Sequence, residues 1–308
     1  MRVVVVGLGV QGRKRTAIAG NEVVATVDPV LPDASYRRIE DVPLSSYDAA
    51  LLCVPDAPKV ELLTYLLDHG KHALVEKPLL SDRDGDLALL AALAQKNGAV
   101  CYTAYNHRFE PHFVRMRDLI QSGGLGQIYT IRMFYGNGTA AQVKASPWRD
   151  KGSGVLFDLG SHLLDTLTFW LGPIEQPFQI TSASCFENRS FDHVSFGAVG
   201  KPLLQLETSL LSWRNHFYAD VHAEKGSAHI TSLCKWGPSA FTVRGRVLPS
   251  GRPDEEAVTL VKADPTWALE YDHFKSLCRT GGASLRTDLW ISDTLNALSA
   301  AALSGEGQ

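Results

Sequence analysis

Short apolar runs alternate with amphipathic segments along the first hundred residues of the chain. The amphipathic segments predict helices at about 11–19, 58–69 and 83–96. The apolar runs predict five strands: Arg2–Val6, Glu22–Val27, Ala49–Val54, Ala73–Val75 and Val100–Thr103. Strands that alternate with helices form a parallel sheet covered on both faces. We therefore expect an N-terminal α/β domain over residues 1–118, with a doubly wound parallel sheet.

The pattern changes after Gln127, where extended segments become frequent and helices fewer. The helices expected there span 154–171, 266–279 and 288–303. The extended segments are Ile128–Phe134, Phe178–Ser184, Leu203–Ser212, Phe217–His222 and Phe241–Val247. Grouped strands favour a second, α+β domain over residues 119–308, built on a mostly antiparallel sheet. Its last helix could pack back on the first domain, and 248–256 is expected to be an exposed hairpin tip.

A glycine-rich turn joins the first strand to the first helix. Gly7-Leu8-Gly9-Val10-Gln11-Gly12 fits the G-x-G-x-x-G pattern of dinucleotide-binding Rossmann domains. The first glycine permits a tight turn, the second lets the backbone approach a pyrophosphate, and the third allows close packing of the helix. Free backbone amides at the helix start can bind the diphosphate. We expect Gly7, Gly9, Val10, Gln11 and Gly12 to contact the cofactor.

Asp28 ends the second strand, where an acidic residue commonly accepts hydrogen bonds from the adenosine ribose. A carboxylate there repels a ribose phosphate, so NAD is favoured over NADP. Arg13, Lys14 and Arg15 lie near the start of the first helix and could pair with such a phosphate. The interpretation that we favour for these three is a solvated helix face.

Glu76-Lys77-Pro78 directly follows the strand Ala73–Val75. In open α/β sheets, ligands bind at the carboxyl ends of the strands. We therefore expect the Lys77 ammonium to reach both a nicotinamide ribose and a substrate hydroxyl.

Asp158, His162 and Asp165 follow an i, i+4, i+7 spacing and would share one face of a helix. That helix is apolar around most of its circumference and should be buried. Buried polar side chains need partners, which a polar cleft would supply. The alternative is a histidine locked structurally between two carboxylates.

Combined with Lys77 and the glycine-rich turn, these residues suit hydride transfer. The reaction needs a nicotinamide, a base for the hydroxyl proton and a positive group for the developing alkoxide. His162 suits the base, since an unperturbed histidine has a pKa of about 6.5. Asp158 can orient His162, and Lys77 can stabilise the charge on oxygen or relay the proton.

Composition and charge limit the kinds of partner that the protein is expected to bind. The chain has 308 residues, enough for two domains, and a net charge of -3 with no long basic block, so a nucleic-acid partner is not expected. No apolar stretch is long enough to span a membrane, and nothing marks the chain for export. The five cysteines are far apart, odd in number and without zinc-site spacing. We expect a cytoplasmic protein with no metal.

Five motifs in order make the chain resemble the glucose-fructose oxidoreductase / inositol dehydrogenase / MocA family: 7–12, 76–78, 105–109, 148–149 and 158–165. These motifs lie in the first half of the chain, and the second half resembles the family only in its high content of predicted strands.

The resemblance implies that Lys77 and His162 are catalytic, with Asp158 beside them. It also implies a cis bond before Pro78, which would aim Lys77 into the cleft. By the same resemblance Glu76 belongs to the cofactor site. The other residues implied to line the cofactor or substrate are Asn106, Arg108, Trp148, Arg149 and Asp165. Trp148 could equally be a core anchor.

The leading hypothesis is an NAD(P)-dependent dehydrogenase acting on a secondary hydroxyl of a sugar, sugar nucleotide or cyclitol. A regulator that senses the cofactor without chemistry is a second possibility, although retention of Lys77 and His162 argues against it. A third is a reductase of a non-carbohydrate carbonyl or conjugated double bond. The open face of the second sheet suggests a homodimer or homotetramer.

Overall fold

The structure is a computed structural model that describes residues 1–81, 83–147, 149–282 and 284–305. It divides into two compact units. The first unit contains Met1–Asn106 and Pro265–Ser292, and the second contains His107–Asp264 and the chain from Asp293 onward. Neither unit is a single continuous segment of the chain.

The first unit is built on a five-stranded sheet in the order β2-β1-β3-β4-β5, with every neighbouring pair parallel. The strands are β1 (Val3–Val6), β2 (Val23–Val27), β3 (Ala49–Leu52), β4 (His72–Glu76) and β5 (Cys101–Ala104). The helices that connect them are α1 (Val10–Ala19), α2 (Lys59–Asp68) and α3 (Asp86–Lys96). The predicted doubly wound sheet is confirmed.

Alternate side chains of these strands enter two buried clusters. Val4 and Val6 pack into one cluster, and Val3 and Val5 pack into the other. All four are at most 4% exposed, which explains why the strand reads as an uninterrupted apolar run. The chain runs from β1 to β2 on one side and then returns to β3 on the other. The carboxyl ends of β1 and β3 therefore flank a topological switch point, where open α/β sheets bind ligands.

The second unit holds an eight-stranded sheet in the order β13-β12-β11-β10-β6-β9-β8-β7. Only the β6–β9 pair is parallel, so the predicted mostly antiparallel sheet is also confirmed. The strands are β6 (Ile128–Gly136), β7 (Gln179–Ser184), β8 (His193–Ala198), β9 (Leu203–Ser209), β10 (His216–Ala223), β11 (Gly226–Thr231), β12 (Ser239–Gly245) and β13 (Glu255–Leu260).

The remaining helices are α4 (Pro111–Gln121), α5 (Ala140–Lys144), α6 (Ser161–Leu171), α7 (Thr266–Thr280) and α8 (Arg286–Ser304). Within the described ranges, no helix is both long enough and apolar enough to cross a membrane.

The sequence pattern did not predict three of the strands, β8, β11 and β13. β11 and β13 carry mostly polar, small or exposed side chains, whereas β8 alternates buried apolar residues with partly exposed ones. Their ladders with neighbouring strands form them instead. The expected hairpin tip at 248–256 is confirmed, because β12 and β13 pair antiparallel on either side of the connection.

Candidate functional site

The glycine-rich turn after β1 needs glycine for two different reasons. Gly7 has a φ of +85°, and a Cβ there would lie 2.4 Å from the Cys53 carbonyl oxygen. A Cβ on Gly12 would lie 1.8 Å from the Gly7 carbonyl oxygen. Both glycines therefore let the turn pack closely against its surroundings. At Gly9 a Cβ would meet no heavy atom within 4 Å, so open space adjoins the backbone just before α1.

This open space fits the group that the fingerprint implies. A pyrophosphate needs close approach to the backbone at the second glycine and free amides at a helix start. Val10 is the first residue of α1 and is 84% exposed, and Gln11 beside it is exposed as well. The turn can therefore hold a dinucleotide without displacing a side chain from the core.

Asp28 ties the glycine-rich turn to the end of β2. Its Oδ2 accepts a hydrogen bond from the Leu8 backbone N–H at 2.9 Å. Its Oδ1 accepts from the N–H groups of Val30 at 2.9 Å and Leu31 at 3.0 Å. Burial alone would raise the pKa of Asp28, but these three donors, with the nearby Arg37, hold that pKa below its ordinary value. The carboxylate thus stays ionised beside the turn.

Glu76 lies at the end of β4 and is bound by a buried arginine. Arg15 is 1% exposed, and its Nε and Nη2 are each 2.9 Å from Glu76 Oε1. Its Nη1 is 2.7 Å from Oε2 of Glu270, which is fully buried. Burial would lower the pKa of Arg15, but the two carboxylates raise it, so the arginine remains charged.

The interpretation of 13–15 as a solvated helix face is therefore wrong for Arg15. Its guanidinium carbon lies 4.3 Å from the ring centroid of Trp267, and the Lys14 ammonium lies 3.7 Å from the same centroid. Trp267 and Glu270 belong to α7, which packs against α1 in the first unit. The two carboxylates and the tryptophan ring explain why a cation is stable in this buried place.

Lys77 follows β4 directly, as the sequence predicts. The bond between Lys77 and Pro78 is cis, as the resemblance implied. Lys59, the first residue of α2, is 1% exposed. Its Nζ donates to the Pro78 carbonyl oxygen and to Asp56 Oδ1, each at 2.7 Å. Burial lowers the pKa of Lys59, while Asp56 opposes the shift.

Asn106 is the last residue of the first segment of the first unit and lies just beyond β5. It is 7% exposed, and its Nδ2 donates to Thr266 Oγ1 at 2.8 Å. Thr266 is the first residue of α7. The amide side chain is thus fixed at the carboxyl edge of the sheet, where the switch point also lies.

In the second unit, the predicted helix over 154–171 is not uniform. Leu156–Gly160 forms a π-helical turn, and α6 begins at Ser161. Asp158 lies within the π-helical turn, so the regular α-helix that the spacing assumed begins only after it. The Asp158 side chain is 41% exposed, whereas His162 is 5% and Asp165 is 1% exposed. The expectation that all three form one buried stripe is therefore wrong for Asp158.

Asp165 binds Arg108, which lies in a short 3₁₀ turn before α4. Arg108 Nε is 3.0 Å from both carboxylate oxygens of Asp165, and Nη2 contacts Oδ1 as well. The Arg108 side chain is 26% exposed. Burial raises the pKa of Asp165, and Arg108 opposes that shift. The pair joins two residues predicted to be in the substrate site.

His162 packs among aromatic rings. His107 is stacked on it, with ring centroids 4.1 Å apart and planes 21° apart. Tyr135, from β6, meets His162 edge-on at 5.8 Å and His107 at 5.2 Å. The Lys235 Nζ lies 3.5 Å from His107 Nε2. Sequence reasoning missed these three neighbours, although His107 stands between two residues that it singled out.

Lys235 also faces an acidic cluster. One carboxylate oxygen each of Glu110 and Asp264 and the Sγ of Cys234 lie within 4.8 Å of one another. Burial raises the pKa of Glu110 and raises that of Cys234 to about 12. Burial lowers the pKa of Lys235, while the three acidic groups oppose this shift.

Arg149 lies 3.8 Å from Asp158, measured from Nη2 to Oδ2, and its side chain is 34% exposed. The structure thus brings together two more of the predicted site residues. Trp148, predicted to approach the cofactor or substrate, lies outside the described residues.

Two family models match the chain. Residues 1–105 match a model described as an oxidoreductase family with an NAD-binding Rossmann fold. Residues 113–229 match a GFO/IDH/MocA C-terminal domain. Together the two models cover more than half of the chain and correspond to its two kinds of sheet.

Several curated relatives are named as inositol 2-dehydrogenases. Inositol 2-dehydrogenase 4 of Saccharopolyspora erythraea is 26% identical over 226 residues, covering 68% of this chain and 64% of that protein. Inositol 2-dehydrogenase of Rhodococcus erythropolis is 25% identical over 300 residues, covering 80% of this chain and 85% of that protein. The chain spans less than two thirds of the length of the first curated relatives that it matches.

Solved structures share the fold across almost the whole chain. Levoglucosan dehydrogenase in complex with NADH matches with a TM-score of 0.82 at 17% identity, covering 99% of this chain and 97% of that one. An inositol dehydrogenase homologue from Azotobacter vinelandii, with NADH and myo-inositol, matches with a TM-score of 0.78 at 16% identity, covering 99% and 96%.

Proposed function

Because the chain belongs to the GFO/IDH/MocA oxidoreductase family, we propose that it is an NAD(P)-dependent dehydrogenase or reductase acting on CH–OH groups. Its substrate is a polyol, a class that includes sugars, sugar nucleotides and cyclitols. The observation that carries the proposal is the glycine-rich turn, which leaves open space at Gly9 and is tied to the ionised Asp28. The names of the inositol dehydrogenase relatives support the substrate class.

The proposed cofactor is NAD. The backbone from Gly7 to Gly12 would hold the diphosphate, and the Asp28 carboxylate would accept hydrogen bonds from the ribose. Each Asp28 oxygen accepts backbone hydrogen bonds, yet a carboxylate has about four acceptor sites, so capacity remains for a ribose hydroxyl. The negative charge of Asp28 disfavours a ribose phosphate. Lys77, Asn106 and Arg149, with Trp148, belong to the proposed nicotinamide end.

Glu76 contributes to the cofactor site indirectly. Its Oε1 is bound by Arg15, so the carboxylate is best placed to fix the end of β4. We therefore propose that it positions Lys77.

Lys77 and His162 are the proposed catalytic residues. When bound, the nicotinamide supplies the hydride acceptor or donor. The Lys77 ammonium stabilises the negative charge that develops on the substrate oxygen, and His162 takes or returns the hydroxyl proton. Asp158 stabilises the protonated form of His162, and Arg149 limits the rotation of Asp158 through their 3.8 Å contact.

Substrate hydroxyls would bind to Lys77, Asn106, Arg108, Asp158 and His162. Asp165 is 1% exposed and holds Arg108 at two oxygens, so its proposed part is to fix the guanidinium. A planar guanidinium held in this way has its remaining donors in one fixed plane.

The organisation of the chain adds further proposals. We place the boundary between a cofactor domain and a substrate domain near residue 118. We also propose a cytoplasmic homodimer or homotetramer that binds no nucleic acid. The side chains of β8 and β10 alternate between buried and partly exposed, so the sheet keeps one face for another subunit.

A thermal-shift screen tests the function. Sugars, sugar nucleotides and cyclitols, myo-inositol among them, are added to the protein with NAD or NADP, and NADH or NADPH absorbance then measures turnover of the hits. We expect a polyol to stabilise the protein only with cofactor present. If no polyol is turned over while a non-carbohydrate carbonyl is reduced, the substrate class is wrong.

Substitution of Lys77 tests its role in that reaction. Lys77→Ala should lower kcat by at least ~100-fold, because the positive group at the substrate oxygen is lost. The dissociation constant for NAD should change little, since the diphosphate binds at the glycine-rich turn. Near-normal turnover in this variant would contradict the assignment of Lys77.

A further inference from the structure

The residues on both sides of Lys77 are each held by a buried cation. Arg15 binds the Glu76 carboxylate at 2.9 Å, and Lys59 donates to the Pro78 carbonyl oxygen at 2.7 Å. Arg15 and Lys59 are each 1% exposed. We call these two side chains the anchoring cations. They hold the Glu76 side chain immediately before Lys77 and the Pro78 carbonyl group immediately after it.

The anchoring cations come from two different helices. Arg15 lies in α1, which begins beside the glycine-rich turn, and Lys59 opens α2, which follows β3. Arg15 and Lys59 are 61 and 19 residues from their partners along the chain. They connect the segment that bears Lys77 to both elements that flank the topological switch point.

Burying a lysine ammonium to donate one hydrogen bond to a carbonyl oxygen costs desolvation free energy. Burial lowers the pKa of Lys59, which means that the charged form is destabilised by its surroundings. Its carboxylate partner Asp56 has a side chain that is 58% exposed, so this ion pair is partly screened by water. A neutral donor or a water molecule would satisfy the Pro78 carbonyl without that desolvation cost. A simple structural contact therefore does not account for the ammonium.

We propose that Lys59 is a positioning residue for Lys77, which it acts on through the Pro78 carbonyl. A long side chain that is charged and buried reaches this oxygen from α2 and forms a strong, short hydrogen bond. Together with Arg15 on Glu76, Lys59 restricts the backbone of Lys77 to one conformation, so the catalytic ammonium starts each turnover in place. The inference rests on the proposed function of Lys77.

Lys71 offers a matched control at the other end of the same strand. It immediately precedes β4, and its Nζ donates to the Tyr47 carbonyl oxygen at 2.8 Å. Lys71→Met thus removes the same kind of bond from the same unit, but away from the edge that bears Lys77. Lys59→Met removes the ammonium at similar side-chain volume, and Lys59→Arg retains charge and donors.

The test measures kcat, the dissociation constant for NAD and hydrogen–deuterium exchange of the Glu76–Leu80 segment. The substrate is the alcohol that gives the largest thermal shift in the screen above. Lys59→Met should lower kcat about 10- to 100-fold, the loss expected from misplacing a reacting group by about 1 Å. Its NAD affinity should change less than ~2-fold, and exchange at 76–80 should rise. Lys59→Arg should recover part of kcat.

Lys71→Met should lose stability and leave kcat within ~2-fold of the original. The proposal is overturned if Lys59→Met keeps its kcat, or if Lys71→Met loses as much. Should Lys59→Met not fold, Asp56→Asn replaces it, because this variant loosens Lys59 without removing it. A smaller fall in kcat with faster exchange at 76–80 is then expected, and unchanged values of both would contradict the proposal.

Lys77→Ala separates this proposal from the proposed function. If Lys77→Ala remains active, the catalytic role of Lys77 fails whatever Lys59 does. If Lys77→Ala is inactive while Lys59→Met is fully active, Lys77 keeps its role and the positioning by Lys59 fails.

Discussion

Lys77 and His162, the two proposed catalytic residues, are supported by different kinds of interaction. Around Lys77 the support is ionic, and Arg15, Lys59 and Glu270 are each at most 1% exposed, although Asp56, the carboxylate partner of Lys59, is 58% exposed. Around His162 the immediate support is a stack of rings, and the neighbouring ion pairs include a partly exposed partner. One residue depends on compensated buried charge and the other on packing.

The difference follows from the elements that bear the two residues. Lys77 lies directly after a strand end, and its neighbours Glu76 and Pro78 are held by polar contacts from Arg15 and Lys59. His162 lies in a helix in which most residues are buried, and neighbouring rings already restrict it. Removing a charge near Lys77 should therefore destabilise the protein more than removing one near His162.

The largest effect is expected from Arg15→Met. The variant leaves Glu76 and Glu270 as buried carboxylates without their cation, and we expect the free energy of unfolding to fall by about 3–5 kcal/mol. Urea denaturation measures this. Arg13→Met, two residues earlier on the same helix, is the matched control. Its partner Asp33 lies 3.4 Å away and both side chains are more than half exposed, so the loss should stay below ~1 kcal/mol.

Equal losses in the Arg15 and Arg13 variants would show that the buried network contributes no more than a surface pair. The Glu270→Gln variant provides a second check, because it removes one carboxylate and leaves Arg15 paired with Glu76. Combined with Arg15→Met, it should recover part of the lost stability, since one buried charge fewer then lacks its partner.

The next largest effect is expected in the second unit from Arg108→Met. Asp165 then loses its cation, and we expect a loss of about 2–3 kcal/mol near pH 8. Burial already raises the pKa of Asp165, so the folded variant binds a proton more readily than the unfolded chain. The contribution of Asp165 to the stability of the variant should therefore be fully present below the ordinary aspartate pKa of about 3.9 and should be lost as the pH rises through the folded-state pKa.

Urea denaturation of the Arg108 variant over a pH series measures this dependence. A loss independent of pH would mean that Asp165 takes up no proton when Arg108 is removed. A loss larger than that of Arg15→Met would contradict the comparison between the two regions.

Much of the first unit could be predicted from the sequence because its determinants are local. β1 and β3 are uninterrupted apolar runs, β2, β4 and β5 are mostly apolar, and Gly7 and Gly12 are required by backbone contacts a few residues away or at the adjacent strand. The position of Lys77 followed from strand order alone. The burial of Arg15 could not be predicted, because Glu270 and Trp267 reach it from α7, at the other end of the chain.

The second unit was less predictable near His162. The i, i+4, i+7 spacing correctly predicted His162 and Asp165 to be buried, but the π-helical turn that contains the partly exposed Asp158 has no signature in the pattern of apolar residues. Tyr135 and Lys235 come from separate parts of the sheet domain and meet His107 only through tertiary packing. Contacts between residues far apart in the chain produce no periodic pattern of apolar residues, so the sequence pattern could not predict them.

Asp28→Asn should have a smaller effect. The amide keeps an oxygen for Val30 and Leu31, but its NH₂ group then faces the Leu8 N–H, so we expect a loss of about 1–2 kcal/mol. Because the pKa of Asp28 is lowered, its stabilisation is present above about pH 4 and is lost as the pH falls through the folded-state pKa. The difference between the two proteins should therefore be constant near neutrality and shrink in acid.

Cofactor binding provides a second test of the role of Asp28. The variant should bind NAD more weakly and lose its preference over NADP, measured by titrating both cofactors. A wild-type protein that binds NADP more tightly than NAD would contradict the proposed role of the carboxylate, whatever the stability of the variant.

The smallest effect on stability is expected from Arg149→Gln. The Arg149–Asp158 pair spans 3.8 Å between partly exposed side chains, so its loss should change the free energy of unfolding by less than ~0.5 kcal/mol. Turnover should nevertheless fall, because Asp158 is then free to turn away from the proton acceptor that it stabilises. We expect kcat to decrease severalfold with little change in the urea midpoint. A variant with unchanged kcat would place Arg149 outside the site, and a large loss of stability would show that ionic support near His162 is as strong as that around Lys77.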